Sequence, residues 1–151
     1  MPPRPIRLRR ARRTDFDAIG VLLAGRVSTE WSAGRPALRR FRRVVADLGS
    51  DLYVAARDAQ VVGVVHVTYA RQLGGMPHAR LEVLAVDPDA RGHGVGRSLI
   101  ALAVERARQR GCAALRCAAA ADSDSARAFL AHAGWQASGA EFAFDLANPA
   151  Q

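Results

Sequence analysis

The feature that most constrains this chain is a glycine-rich segment between a strand pattern and a helix pattern. Residues 80–86, RLEVLAV, are dense in branched apolar side chains, and this run ends at Asp87-Pro88 because proline cannot continue a ladder. Three glycines follow within residues 91–96, and a helical pattern then runs to about Arg110. Such a turn lets backbone N–H groups approach an anion at the positive end of a helix, which favours binding of a phosphate or pyrophosphate.

Two common phosphate-binding loops do not fit this segment. A Walker-type loop needs G-x-x-x-x-G-K-[ST], but Arg97 stands where its lysine belongs and Arg91 where its first glycine belongs. A dinucleotide fingerprint needs G-x-G-x-x-G, and from Gly92 its last position falls on Arg97. The pattern that fits is R-x-x-G-x-G at Arg91, Gly94 and Gly96.

With this motif placed directly after a V-D-P strand end, the chain resembles the GNAT superfamily of N-acetyltransferases, in which the motif binds the pyrophosphate of acetyl-coenzyme A (acetyl-CoA). IRLRRARRTDFDAI is similar to the family's first strand and helix, and SDSARAFLAHAGW, residues 123–135, to its late N-x-x-A-x-x-x-Y-x-x-x-G-F element. The resemblance covers nearly the whole chain. It implies a single α/β domain over residues 1–151, a mixed sheet flanked by helices, with acetyl-CoA as co-substrate.

The remaining patterns agree with a mixed α/β sheet in one domain. Strands are predicted at residues 6–10, 52–57, 61–69, 80–86 and 113–119, near Trp135 and at 141–146. Four helices are predicted: one capped by Thr14, one over residues 37–48, one that follows the glycine-rich segment and ends at about Arg110, and one over residues 123–133. The second and third strands form a hairpin, and Leu48 belongs to the apolar side of the second helix. Glycines and a proline indicate a loop at residues 71–77, while Gly111 and Gly134 close the last two helices.

The resemblance also assigns residues to the cofactor. The backbone of the strand end would bind the pantetheine arm, the turn would hold the pyrophosphate, and the late element would contribute two more positions. These residues are Leu84, Ala85 and Val86 for the arm, Arg91, Gly92, His93, Gly94, Val95, Gly96 and Arg97 for the pyrophosphate, and Ser123 and Leu130 in the late element. Arg91 and Arg97 can add charge to the site, or can instead pair with Asp87 or Asp89.

Glu82 is the candidate catalytic base. An amine must be neutral to attack a thioester, yet a free alkyl amine is mostly protonated at pH 7, so a group must take its proton. Several members of the family carry a glutamate at the position that corresponds to Glu82. Alternation along the strand predicts that Glu82 shares a face with Leu84 and Val86, toward the thioester. The alternative is a strand carboxylate that pairs with Arg80 or Arg116.

The chain departs from the family at the general acid. Leu130 stands where a tyrosine usually protonates the departing thiolate, and Ser123 stands where asparagine is frequent. Leucine cannot donate a proton, so water, Tyr69 or Cys117 could substitute, or no acid is needed because a thiolate is only moderately basic. The departure also leaves open a second function, that of a non-catalytic acyl-CoA-binding sensor or regulatory module.

The acceptor would enter between the loops at residues 25–36 and 71–77. Trp31 offers an apolar wall there, and Glu30 offers an anionic group that suits an amine. The acceptor is a small-molecule amine or a protein amino group, and the sequence does not choose between them. His66 and His78 are weaker catalytic candidates that could face the same cleft.

Arginine supplies all 22 basic residues, which with 14 acidic residues give a net charge of +8. Clusters at residues 7–13 and 39–43 are either solvated faces or sites that attract anions. Nucleic acid is disfavoured as a partner because no recognised motif accompanies these arginines. The sequence has no metal-ligand pattern, no run long enough for a membrane span and no targeting signal, so we expect a cytoplasmic protein without metal or membrane partner. The sequence does not decide whether the chain forms a homodimer.

Overall fold

Branched and small apolar residues form the strands of a mixed sheet. The computed structural model describes residues 4–24, 34–118 and 124–137. Five strands occur in these residues: β1 (Arg7–Arg10), β2 (Ser50–Arg57), β3 (Gln60–Gln72), β4 (Gly75–Val86) and β5 (Ala114–Cys117). They lie side by side in that order, antiparallel from β1 to β4 and parallel between β4 and β5. The expected mixed sheet is confirmed.

The described residues also form four α-helices: α1 (Phe16–Leu23), α2 (Arg35–Ala46), α3 (Val95–Gln109) and α4 (Asp124–His132). Residues 1–118 make one compact unit, which holds the sheet and α1 to α3. Residues 119–151 make a second unit, which holds α4. The expectation of one domain over residues 1–151 stays a prediction.

Helices cover both faces of the sheet in the first unit. On the first face, side chains of α1 and α2 pack against β2, β3 and β4; this cluster includes Ile19, Leu22, Leu23, Phe41, Leu52, Val54, Val64 and Ala85. Gly63 precedes Val64 on β3, so it points to the opposite, second face. A Cβ at Gly63 would lie 2.9 Å from Leu99 and from Val95, which shows that α3 packs closely against the second face.

The hairpin of β2 and β3 forms as predicted. Asp58 and Ala59 connect the strands with positive φ angles of 50° and 71°, the left-handed conformation of a tight two-residue turn. The prediction of a loop at residues 71–77 is wrong. β3 continues to Gln72 and β4 begins at Gly75, so only two residues form this turn. Pro77 is tolerated in β4 because it lies at an irregularity of the β3–β4 register, where its missing N–H costs no ladder bond.

The helix ends agree with the sequence in part. α1 begins at Phe16 after a short 3-10 turn, so Thr14 does not cap it, and Leu48 lies beyond the end of α2 with 87% exposure rather than on its apolar side. Gly111 and Gly134 follow α3 and α4 with φ of +72° and +87°, as expected of glycine caps. Residues 135–137 form no strand, and the strand predicted at 141–146 lies outside the described residues.

Candidate functional site

In the part of the chain that the structure describes, the C-terminal half of β4 has one open edge, at which it pairs with no strand. β4 pairs with β3 as far as Val86, but its parallel ladder with β5 covers only His78 to Leu81. Beyond the pair of Leu81 and Cys117, no strand of the described residues covers this edge of β4. The backbone of Leu84 and Ala85 therefore lies along a part of β4 that no described strand pairs with on this side, as a strand that hydrogen-bonds an extended ligand requires.

The glycine turn, residues 91–94, leads from β4 into α3. Gly92 and Gly94 have φ of +76° and +80°, a conformation that side chains disfavour. A Cβ built at either glycine would have no neighbouring atom within 4 Å, so the space beside each of them is open. The backbone at these positions is therefore accessible to a ligand that a larger residue would hinder.

The N-terminus of α3 adds unpaired donors to this turn. Gly94 is the N-cap and supplies no side-chain acceptor, and the first turn closes with a 2.9 Å bond from Ser98 N to Gly94 O. Helix geometry leaves the N–H groups of Val95, Gly96 and Arg97 without an intrahelical acceptor. Together with the open glycines, these donors fit a pyrophosphate group.

Arg91 and His93 stabilise the turn. The Arg91 guanidinium donates from Nε to the Val86 carbonyl at 3.4 Å, and His93 Nδ1 lies 2.8 Å from the Arg91 carbonyl. Asp87 accepts a bond from the backbone N–H of Asp89 at 2.8 Å. Within the described part of the chain, neither aspartate forms an ion pair with Arg91 or Arg97, and the Arg97 side chain is exposed in the first turn of α3.

A bulge in β4 determines where Glu82 points. His66 pairs with Val83, but the next residue of β3, Val67, pairs with Leu81, so Glu82 is an extra residue in the ladder. The predicted alternation is therefore wrong at this position. Leu84 belongs to the second face, whereas the Glu82 carboxylate lies on the first face, where Thr68 donates to its Oε1 at 2.6 Å.

The environment of Glu82 is polar and open. Its side chain is 39% exposed, so the partial burial that would assist a base is modest. Arg80 Nε lies 3.9 Å from Oε1, in line with the alternative that the sequence left open for this carboxylate. Thr68 and Arg80 both approach the same carboxylate oxygen, Oε1.

His66, a weaker catalytic candidate in the sequence, is one of two histidines of the described residues with a buried ring nitrogen that lacks a hydrogen-bond partner. It lies on the first face, and its Nε2 is buried without a hydrogen-bond partner in residues 4–24, 34–118 and 124–137. Burial lowers the pKa of His66, and the negative charges of Glu82 and Asp47 offset only part of this effect. Its imidazole is therefore neutral at pH 7. The signal in the sequence was its strand parity with Val64, a core position.

The three candidates for a general acid differ in their surroundings. The Tyr69 hydroxyl donates to Asp51 Oδ2 at 2.6 Å, and burial together with this bond raises its pKa, so Tyr69 is committed to a structural bond on the second face. Cys117 lies in the last pair of the β4–β5 ladder, and burial raises the pKa of its thiol, which stays protonated at neutral pH. Leu130 lies on α4 in the second unit and is half-buried.

Several predicted residues have no described position. Ser123, Glu30 and Trp31 lie outside the described residues. His, Cys, Asp and Glu side chains of the described part form no group of three that could hold a metal ion. Of the described helices, none is both long and apolar enough to cross a membrane.

This architecture recurs in solved structures. A transcriptional regulator from Bacillus halodurans C-125 superimposes with a TM-score of 0.85 at 25% identity, covering 94% of this chain and 100% of that one. An acetyltransferase from Trypanosoma brucei gives 0.79 at 23% identity, with 94% and 100% covered. Glucosamine-6-phosphate N-acetyltransferase from Arabidopsis thaliana gives 0.81 at 15% identity, with 94% and 99% covered. The last two structures, at 23% and 15% identity, show only that the fold is similar.

The family follows from the sequence comparison. The model of the acetyltransferase (GNAT) family matches residues 17–135, most of the chain. The chain therefore belongs to this family, which supports acyl transfer as its general activity, with acetyl-CoA as the donor that the family generally uses. A search of proteins of curated function found no match.

Proposed function

We propose that this protein transfers an acetyl group from acetyl-CoA to a primary amine by direct attack of the amine on the thioester. The observation that carries the proposal is the open edge of β4 beside the glycine turn, with a carboxylate at the bulge between them and the β4–β5 ladder. Residues 84–86 bind the pantetheine arm through their backbone, and the N–H groups of the turn and of α3 hold the pyrophosphate. Arg97 adds positive charge there. Acetyl-CoA, when bound, supplies an activated acetyl thioester.

Glu82 takes the proton of the attacking amine, directly or through one water. The hydrogen bond from Thr68 holds one carboxylate oxygen, and in this proposal the other oxygen, Oε2, accepts the amine proton. In the transfer, a bond forms between the amine nitrogen and the acetyl carbon, and the bond from that carbon to sulfur breaks. The amine proton goes to Glu82, and coenzyme A leaves as a thiolate.

The departing thiolate needs little help. A free thiol has a pKa near 8.5, so its thiolate is only a moderate base and can leave unprotonated at modest cost. Solvent water supplies the proton afterwards, because burial raises the pKa of the Cys117 thiol and makes it a weaker acid than a free thiol. We propose that this is why leucine is tolerated at position 130. A role of Leu130 and Ser123 in cofactor binding stays a prediction from the family resemblance.

A panel of primary amines tests the activity. The protein is incubated with acetyl-CoA and each amine, and released coenzyme A is measured with a thiol-detecting reagent. Because Cys112 and Cys117 are free thiols, a reaction without amine serves as the blank. We expect amine-dependent release with at least one amine class. No release with any amine, together with tight acetyl-CoA binding by calorimetry, would contradict the transferase.

The second candidate is an acyl-CoA-binding sensor or regulatory module. Leu130 at the usual tyrosine position favours it, and so does the similarity to a protein described as a transcriptional regulator. This function needs only the open edge and the glycine turn. The same experiment separates the two functions, because a sensor binds acetyl-CoA without amine-dependent release of coenzyme A.

A further inference from the structure

An apolar cleft lies on the first face of the sheet, between the strands and helices α1 and α2. Its volume is about 220 Å³, and its lining residues are Ile19, Leu23, Arg40, Phe41, Val44, Leu52, Val64, His66 and Val83. All but Arg40 and His66 are apolar. An engineered apolar cavity of about 150 Å³ binds benzene, so this cleft has room for one aromatic ring or a branched alkyl group of similar size.

The strand register brings this cleft to the proposed reaction centre. Leu52, His66 and Val83 are paired across β2, β3 and β4, so they form one row of its floor. Glu82 directly precedes Val83, and the bulge turns its carboxylate onto the same face. The carboxylate therefore lies next to the edge of the cleft.

His66 supplies an unused polar group in the floor. Buried polar atoms in proteins are nearly always hydrogen-bonded, so an unpaired one calls for a partner such as a ligand or a water. The Nε2 atom of His66 is such an atom in the described part of the chain. His66 lines the cleft, so a turn of its ring toward the ligand would let Nε2 accept a hydrogen bond from an amine N–H.

The lining of the cleft restricts which amines fit. It is mostly apolar and includes no carboxylate, so a second ammonium group on the ligand would lose its hydration without gaining an anionic partner among the lining residues. A compound with several amino and hydroxyl groups is therefore disfavoured. A monoamine with one compact apolar group can place its nitrogen toward Glu82 and His66 and its apolar part among Ile19, Leu23 and Phe41.

We propose that this cleft binds the acceptor, and that the acceptor is a primary monoamine with a compact aromatic or branched aliphatic group. The inference rests on the proposed acetyl transfer only in naming the ligand as the acceptor. Binding itself can be measured without turnover, so the two proposals can fail separately.

The test uses the whole protein with labelled isoleucine, leucine and valine methyl groups, titrated by NMR with 2-phenylethylamine and with ethanolamine. We expect saturable shifts of the cleft methyl groups, those of Ile19, Leu23 and Val64, with 2-phenylethylamine only. Val44→Phe fills the cleft and should raise the Kd at least tenfold. Val21→Phe adds the same bulk to the exposed side of α1, where Val21 is 75% exposed, and should leave the Kd unchanged.

Each result bears on one of the two proposals. No shift with 2-phenylethylamine, equal shifts with ethanolamine, or an unchanged Kd in a folded Val44→Phe protein would overturn the cleft assignment, even if ethanolamine is acetylated. Shifts confined to the cleft without acetylation of any amine would support the cleft and contradict the transferase. The titration of the unmodified protein decides by itself if Val44→Phe does not fold.

Discussion

Glu82 reaches the first face because one additional residue in β4 interrupts the alternation of side chains. Replacing its carboxylate by an amide keeps the shape and the bond from Thr68 but removes the base. We expect Glu82→Gln to lower kcat about 100-fold, within the usual range for a general base, and to leave acetyl-CoA affinity nearly unchanged. Steady-state kinetics with calorimetry checks this. Glu105→Gln, an exposed substitution on α3, is the matched control, and equal turnover of both variants from pH 6 to 9 would remove Glu82 from the mechanism.

Leu130 tests how much a general acid matters. Deprotonation of the amine is compulsory near neutral pH, whereas the thiolate can leave unprotonated, so the base should matter more than the acid. We therefore expect Leu130→Tyr to raise kcat by less than about tenfold, below the 100-fold or more that a positioned acid contributes. Leu130→Phe controls for the added ring. If the tyrosine instead gives activity to a protein that is inert with every amine, the chain is a sensor that has lost its acid.

His66 should give the protein a measurable pH dependence of stability. Its pKa is lowered in the folded state by burial, so the unfolded chain takes up a proton first, near pH 6.5. The unfolded state then binds more protons than the folded state, and stability falls as the pH drops below that value. We expect the thermal midpoint to fall between pH 7 and 5, and to fall less in His66→Gln. Parallel curves for the two proteins would show that His66 is not buried as a neutral imidazole.

At the scale of whole elements, the sequence predicts what local chemistry decides. The glycine turn, the cap at Gly111 and the β2–β3 hairpin follow from residues close together in the chain, and each forms as expected. The bulge at Glu82 depends instead on how β4 pairs with β3, a contact between distant segments that no local pattern encodes. The same cause explains why the prediction of a loop at residues 71–77 is wrong. Pairing between β3 and β4 outweighs the preference of glycine and proline for loops, so most of these residues lie in the two strands.

The glycine turn yields a prediction about the cofactor. Gly94 and Gly111 flank the two ends of α3, both have positive φ, and neither would place a Cβ within 4 Å of another group. Replacement by alanine should therefore destabilise the protein by a similar amount at each position, about 1 kcal/mol, because a side chain strains a backbone with positive φ. Only at Gly94 does the methyl group enter the space proposed for the pyrophosphate. We expect Gly94→Ala to weaken acetyl-CoA binding at least tenfold in calorimetry and Gly111→Ala to leave it unchanged; equal affinities of the two variants would contradict the assignment.

Across the first unit as a whole, part of the arginine excess serves structure. Arg9 binds both carboxylate oxygens of Asp15, at 2.7 and 2.9 Å, so the cluster at residues 7–13 is not simply a solvated face. Asp51, only 1% exposed, has a larger role. It accepts bonds from Arg10 of β1 at 2.6 Å, Tyr69 of β3 at 2.6 Å and Arg106 of α3 at 3.0 Å. One carboxylate therefore connects three strands and a helix.

Asp51 should accordingly be a large single contributor to stability. Burial alone would raise its pKa, but bonds from Arg106 and Tyr69 and the charges of Arg106 and Arg110 hold the pKa below its usual value. Removing one partner of a buried pair typically costs about 3–5 kcal/mol. The arginines here are partly exposed and can regain water, so we expect Asp51→Asn to cost about 3 kcal/mol, roughly 10 °C in thermal midpoint for a chain of this size.

The pH dependence of this difference distinguishes lost charge from lost packing. A carboxylate whose pKa is lowered on folding stabilises the protein fully above the pKa of the unfolded chain, and that stability disappears as the pH falls through the lowered value. The difference in thermal midpoint between the unmodified protein and Asp51→Asn should therefore be large at pH 7 and should decrease steadily below pH 4. Asp58→Asn, at an exposed pair with Arg4, should leave the midpoint nearly unchanged throughout. A gap that persists undiminished at pH 2 to 3, measured by calorimetry while both proteins still unfold cooperatively, would mean that Asp51 stabilises the fold by shape and not by its charge.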